Sequence, residues 1–180
     1  MNPMNYQAAR TVLTLVATGC LCLGGVPAVA QSSAGPVPSV RMLPAYTVYE
    51  PDGTAVGLDE PRFGGMAMLV VDARLSSANG ALLALNAKPG LRPDRLAIVV
   101  IGSNQDFSTL RAANTKIGAT RWYLAPTTDV ISQLRAPGVP LLLGIDGQGK
   151  IVWQRAGATL TPERLSQEVI AWQQRQLPRN

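Results

Sequence analysis

Short, wholly apolar runs alternate along this chain with longer stretches in which apolar residues recur every three or four positions. Gly65–Val71 (GMAMLVV) and Leu96–Ile101 (LAIVVI) are unbroken apolar runs of strand length, the pattern of strands buried on both faces of a sheet. Between them, Leu75–Leu85 predicts a helix that begins near Ser76 or Ser77 and offers Leu82, Leu83 and Leu85 to a core. Either serine could cap it, and Asn79-Gly80 weakens its first turn. Pro89, Gly90 and Pro93 end it. In Asp106–Ile117, helical spacing links Phe107, Leu110, Ala113 and Ile117, with Ser103, Asn104 or Asp106 as cap. Arg121–Leu124 predicts a short strand, and Asp129–Leu134 a short helix opened by Thr127, Thr128 or Asp129. Pro140–Ile145 and Lys150–Arg155 flank Asp-Gly-Gln-Gly as a hairpin, and Tyr46–Tyr49 and Thr54–Val56 flank Glu-Pro-Asp-Gly as another. Thr161-Pro162-Glu163 starts a last helix, with Thr161 as N-cap and Pro162 in the first turn. Its apolar face is Leu165, Val169, Ile170 and Trp172. The order ββ–β–α–β–α–β–α–β–β–α indicates a layered α/β sheet.

The first thirty residues follow another rule. Arg10 is their only charge, an apolar stretch runs through TVLTLVATGCLCLGG, and Ala28-Val29-Ala30 closes them. A basic start, an apolar centre and a small-x-small end predict an export signal over residues 1–30, cleaved after Ala30. The alternative is a retained membrane anchor. Residues 31–44, rich in Ser, Pro and Gly, read as a flexible linker, 45–176 as the folded domain and 177–180 as a C-terminal tail. Both cysteines, Cys20 and Cys22, lie inside the leader, and the chain has no histidine. Without Arg10 the 16 basic residues become 15 against 11 acidic, a net charge of +4. They are scattered, which predicts a solubilising surface and no nucleic-acid stripe. The carboxylates are dispersed too, so no metal cage and no cofactor are expected.

Three local matches resemble one known family, across about residues 44–175. They are YTVYEPDGTAVGLDEPRFGGMAMLVVDA, Gly138-Val139-Pro140, and Ile145-Asp146-Gly147-Gln148-Gly149-Lys150-Ile151-Val152. This is similar to the thioredoxin fold, in its TlpA-like branch of exported thiol–disulfide reductases. The resemblance implies a central mixed β-sheet flanked by helices, an extra N-terminal β-hairpin, and a cis peptide bond before Pro140. In active members the first central strand ends in a Trp-Cys-x-x-Cys loop that opens a helix, whose N-terminus favours the thiolate. Here that stretch is Leu75-Ser76-Ser77-Ala78-Asn79, with Ser76 at the nucleophile's place and Asn79 at the resolving cysteine's. The Cys-x-x-Cys site is missing.

Three functional classes stay open. The first is a redox-inactive periplasmic protein that binds or scaffolds an envelope protein partner in a groove bordered by Ser76, Asn79, Val139 and Pro140. The second is a divergent oxidoreductase-like enzyme, or one built around Ser76 and Asp72. Against it, a serine nucleophile needs a base, and no histidine exists to serve. The third is a structural domain of an envelope assembly. Membrane association is expected only if the leader is retained. Trp122, Trp153 and Trp172 read as partial core rather than a stacking platform.

Overall fold

The computed structural model of the chain describes residues 41–157 and 160–176. The expected leader, most of the expected linker and the expected tail lie outside the described residues. In chain order the elements are β1 (Arg41–Met42), β2 (Thr47–Tyr49), β3 (Ala55–Gly57), β4 (Ala67–Asp72), α1 (Ser76–Leu83), β5 (Leu96–Ile101), α2 (Asn104–Ala113), β6 (Arg121–Ala125), α3 (Asp129–Gln133), β7 (Leu141–Ile145), β8 (Lys150–Ala156) and α4 (Pro162–Arg175). Short 3₁₀ turns occupy Pro61–Phe63, Pro93–Arg95 and Thr115–Ile117.

All described strands join one mixed sheet in the order β1-β8-β7-β4-β5-β6-β2-β3. The pairs β4–β5 and β5–β6 are parallel, each linked through a helix, while β7 lies antiparallel to β4 and β8 antiparallel to β7. The apolar runs alternate between the two faces with the strand period of two. Ala67, Leu69 and Val71 of β4 join Leu96, Ile98 and Val100 of β5 in a core covered by α1, α2 and α4. Met68 and Val70 join Ala97, Val99 and Ile101 in a second core covered by α3, the β2–β3 hairpin and Phe63. Every residue of β4, β5 and β7 is buried, as expected for strands covered on both sides.

The helix starts follow the capping rules unevenly. Ser103 caps α2 in a reciprocal box: its hydroxyl accepts from the Asp106 N–H, and the Asp106 carboxylate accepts from the Ser103 N–H. Thr161 caps α4 through the Arg164 N–H, with Pro162 in the first turn. Two boundaries differ from expectation. The helix expected to reach Ile117 stops at Ala113, because the buried Asn114 turns its amide back to the Leu110 carbonyl (2.8 Å) and a 3₁₀ turn follows. The expected linker over 31–44 reaches into the fold. Arg41 and Met42 pair with Ile151 and Lys150, and the Leu43 N–H donates to the Gly149 carbonyl (3.1 Å).

Candidate functional site

At its C-terminal end, β4 runs through Asp72-Ala73-Arg74-Leu75 into α1, and the same end of the sheet receives the chain entering β7. The Asp72 carboxylate is nearly buried and fully engaged by Arg74. Its Oδ1 accepts from the Arg74 backbone N–H (3.0 Å) and Nε (2.8 Å), and its Oδ2 from Nη2 (2.6 Å). These bonds, led by those from the guanidinium, hold the Asp72 carboxyl below the usual carboxylate range against the opposing effect of burial. Asp106, on the neighbouring α2, is likewise lowered, first by the Ser103 hydroxyl and N–H. Arg74 senses both carboxylates. Asp72 is thus an anchor for the turn rather than a base aimed at Ser76.

The sequence predicts a serine cap for α1, and the structure corrects this. Leu75 stands at the N-cap position with extended backbone (φ −98°, ψ 136°), and no side chain caps the first turn. The turn closes one residue early, through the Leu75 N–H donating to the Asp72 carbonyl (3.0 Å), so Ser76 and Ser77 already lie inside the helix. From there the α-helical period decides which face each residue takes. Ala78, Ala81 and Leu82 are buried against the sheet, while Ser76, Ser77 and Asn79 are exposed.

The Val139–Pro140 peptide bond is cis. Leu141 pairs with Val70, so Pro140 lies beside the end of β4, close to where α1 begins. The Pro140 carbonyl accepts from the Gly157 N–H (3.0 Å), and Pro140 itself is buried. Among the described residues, neither the N–H nor the carbonyl of Val139 has a hydrogen-bond partner.

A depression of about 370 Å³ opens here between α1, the proline step and the start of α4. Its walls are Ser77, Gly80 and Ala81 on one side, Val139 and Pro140 on another, and Gly157, Leu160, Thr161 and Pro162 on the third. Of the four residues expected to border a groove, Val139 and Pro140 line it. Ser76 and Asn79 do not; the residues that do stand one position later, at Ser77 and Gly80. The spacing of Ser77, Gly80 and Ala81 (i, i+3, i+4) is the signal that identifies this face once the helix start is known. Leu160, Thr161 and Pro162 had no signal beyond their role in starting α4.

Other candidates resolve as core. Trp153 and Trp172 meet edge-to-face at 5.8 Å and 70°, and Trp122 meets Phe107 at 6.4 Å and 76°. Among the described residues no group of three or more His, Cys, Asp or Glu is placed to hold a metal ion. Among them, too, no helix is long and apolar enough to cross a membrane.

No family model and no curated protein matches this sequence. Solved structures do match. An uncharacterized thioredoxin-like protein from Porphyromonas gingivalis is 20% identical, over 74% of this chain and 90% of that one, with a TM-score of 0.57. A putative protein disulfide isomerase from Bacteroides thetaiotaomicron is 17% identical, over 76% and 88%, with a TM-score of 0.58. A secreted disulfide oxidoreductase from Mycobacterium tuberculosis, homologous to E. coli DsbE, is 11% identical, over 71% and 96%, with a TM-score of 0.55. The fold is thioredoxin-like. Within a thioredoxin-like fold, the expected mixed sheet, flanking helices and extra N-terminal hairpin are all present. This chain places Ser76 and Asn79, with no sulfur, in the first turn of α1.

Proposed function

We propose that this chain is a redox-silent thioredoxin-like module, exported across the membrane, that holds an extended segment of an envelope protein in the depression beside Pro140. The observation that carries the reading is the lining of that depression. Ala81, Val139, Pro140, Leu160 and Pro162 give it apolar walls, and no cysteine or histidine is present on them. The open Val139 backbone offers a donor and an acceptor at its rim, the groups an extended peptide uses when it lies along a strand. A surface with these features binds reversibly and transfers no electrons. Export rests on the leader, and N-terminal sequencing of the exported form should begin at Gln31.

Site-directed photocrosslinking in the producing cell tests the reading. A crosslinking residue at Ser77 should trap a discrete envelope protein, and Val139→Glu should abolish that product while the chain still unfolds in one cooperative step, a few degrees lower because Val139 is half-buried against the core. The same residue at Arg135, on the α3 side, should trap none. Equal products from both positions, unaffected by Val139→Glu, would sink the groove reading in favour of a structural domain that contacts partners elsewhere. Reduction of insulin by the chain after the leader would establish the enzyme instead.

A further inference from the structure

The arginines look dispersed along the sequence, yet the fold gathers three of them at the opposite end of the parallel strands from Pro140. Arg62 follows Pro61 in a 3₁₀ turn, Arg111 lies in the last turn of α2, and Arg121 opens β6. Together with Glu50 they line a second depression, of about 390 Å³, floored by Trp122 and Tyr123. Their charges are not equally spent. Arg62 is paired twice, Nη1 to Glu50 at 2.8 Å and Nε to Glu60 at 2.9 Å. Arg121 donates from Nη1 to the Arg62 carbonyl (3.0 Å), which fixes its direction without neutralising it. Arg111 has no side-chain partner among the described residues, whereas Arg74, Arg92 and Arg155 each have a carboxylate. Two guanidiniums therefore line one concavity without an ion-pair partner among the described residues, and a third, paired with Glu50 and Glu60, lines it too.

We infer that this depression binds a phosphate-type oxyanion, held by Arg111 and Arg121. Guanidinium forks match tetrahedral oxyanions in geometry, and two unpaired positive charges match the charge of a phosphate dianion. The space exceeds that of a single oxyanion and lies within the range of small-molecule sites. Glu50 also lines it and its carboxylate opposes an anion, which makes it a gauge of the site. This is independent of the groove beside Pro140: the two depressions share no residue.

Calorimetric titration of the full chain with sodium phosphate, against sodium chloride at matched ionic strength, tests the inference. Vesicle co-sedimentation, with phosphatidylglycerol against phosphatidylcholine, runs beside it. Phosphate should bind saturably where chloride does not. Arg111→Gln and Arg121→Gln should each weaken it about tenfold, the loss expected for one charge-assisted hydrogen bond. Glu50→Gln should tighten it, and Arg164→Gln on α4 should leave it unchanged, with all variants melting as the parent does. Binding to phosphatidylglycerol vesicles alone, lost in Arg111→Gln, would assign the oxyanion to a lipid head group; binding of phosphate in solution would assign it to a free or small-molecule phosphate. No saturable binding in either arm, or an equal loss in Arg164→Gln, would overturn the site.

Discussion

Gly144 offers the sharpest test of how the sheet is packed. It sits in β7 opposite Trp153 of β8, and the indole lies directly over it. A Cβ built on Gly144 would stand 2.0 Å from Trp153 Nε1 and 2.6 Å from Cδ1 and Cε2, far inside any tolerated contact. The ring is rigid and is held on its other side by Trp172 at 5.8 Å, so Gly144→Ala must push the indole outward or separate the strands. Overpacking of this kind costs about 1–3 kcal/mol, and loss of the aromatic pair adds about 0.5–1.5 kcal/mol. We expect a loss of about 2–4 kcal/mol and, at roughly 4 °C per kcal/mol for a domain of this size, a melting temperature about 8–16 °C lower. Thermal unfolding followed by far-ultraviolet circular dichroism measures it, and tryptophan fluorescence reports the displaced ring. The decisive control is a double-mutant cycle with Trp153→Ala, in which the alanine at 144 meets empty space and should cost nothing. The same loss in both backgrounds, or an unchanged melting temperature, would refute the packing argument.

Gln173→Leu should cost about 1–3 kcal/mol in chemical denaturation, since it removes three hydrogen bonds to half-buried backbone groups, of which the Arg92 carbonyl keeps the Arg95 N–H (3.1 Å). Gln173 is 1% exposed; its Oε1 accepts from the Arg92 N–H (2.8 Å), and its Nε2 donates to the carbonyls of Arg92 (2.8 Å) and Arg95 (3.2 Å). Asp72 should contribute to acid sensitivity. Its carboxyl titrates lower in the folded chain than the ordinary value of 3.8, so its stabilising bonds to Arg74 persist above that pH. They fade below it as the unfolded chain takes up protons first. Asp72→Asn should therefore melt lower than the parent at pH 7, with the gap closing between pH 3.8 and the lower folded value. Ser76→Cys with Asn79→Cys should form an intramolecular disulfide on oxidation, because both side chains are exposed and one helical turn apart. Free thiols after oxidation, measured by mass spectrometry, would mean that this first turn does not take the shape of a Cys-x-x-Cys loop.

Strands and their faces were legible because burial on both sides leaves an unmistakable residue code. LAIVVI at Leu96–Ile101 admits no polar face, and the structure places all six residues in the core. The proline step was legible through resemblance: Gly138-Val139-Pro140 resembles the cis-proline entry of the thioredoxin fold, and the cis bond it implied is present. The starts of α2 and α4 were legible in Ser103 and in Thr161-Pro162, but that of α1 was not, since it depends on which local hydrogen bond wins. Ser76 and Ser77 have the right chemistry for a cap, but Arg74 claims the Asp72 carboxylate and draws the chain into a tight turn before them. Gln173 escaped notice because a polar residue on an amphipathic helix reads as solvent-facing. Its true partners, 78 to 81 residues away, are backbone atoms that no side-chain pattern reveals.

The one-residue offset at α1 separates the proposed groove from the positions that a Cys-x-x-Cys pair would occupy. A Cys-x-x-Cys site needs sulfur at two fixed positions, and at the positions the resemblance aligns with them this chain carries Ser76 and Asn79. The concavity rests instead on the helix axis, the cis step at Val139–Pro140 and the start of α4, and these are held by Ala78, Ala81, Leu82, Leu165 and Val169 packing on β4 and β5. None of those residues takes part in electron transfer, and each is fixed by burial. Core packing of that kind resists change, because removing a buried leucine costs about 2–5 kcal/mol. Exposed positions such as Ser76 and Asn79 bear no such penalty. The walls beside Pro140 therefore do not depend on sulfur, and the proposed peptide site needs only those walls and the open backbone of Val139.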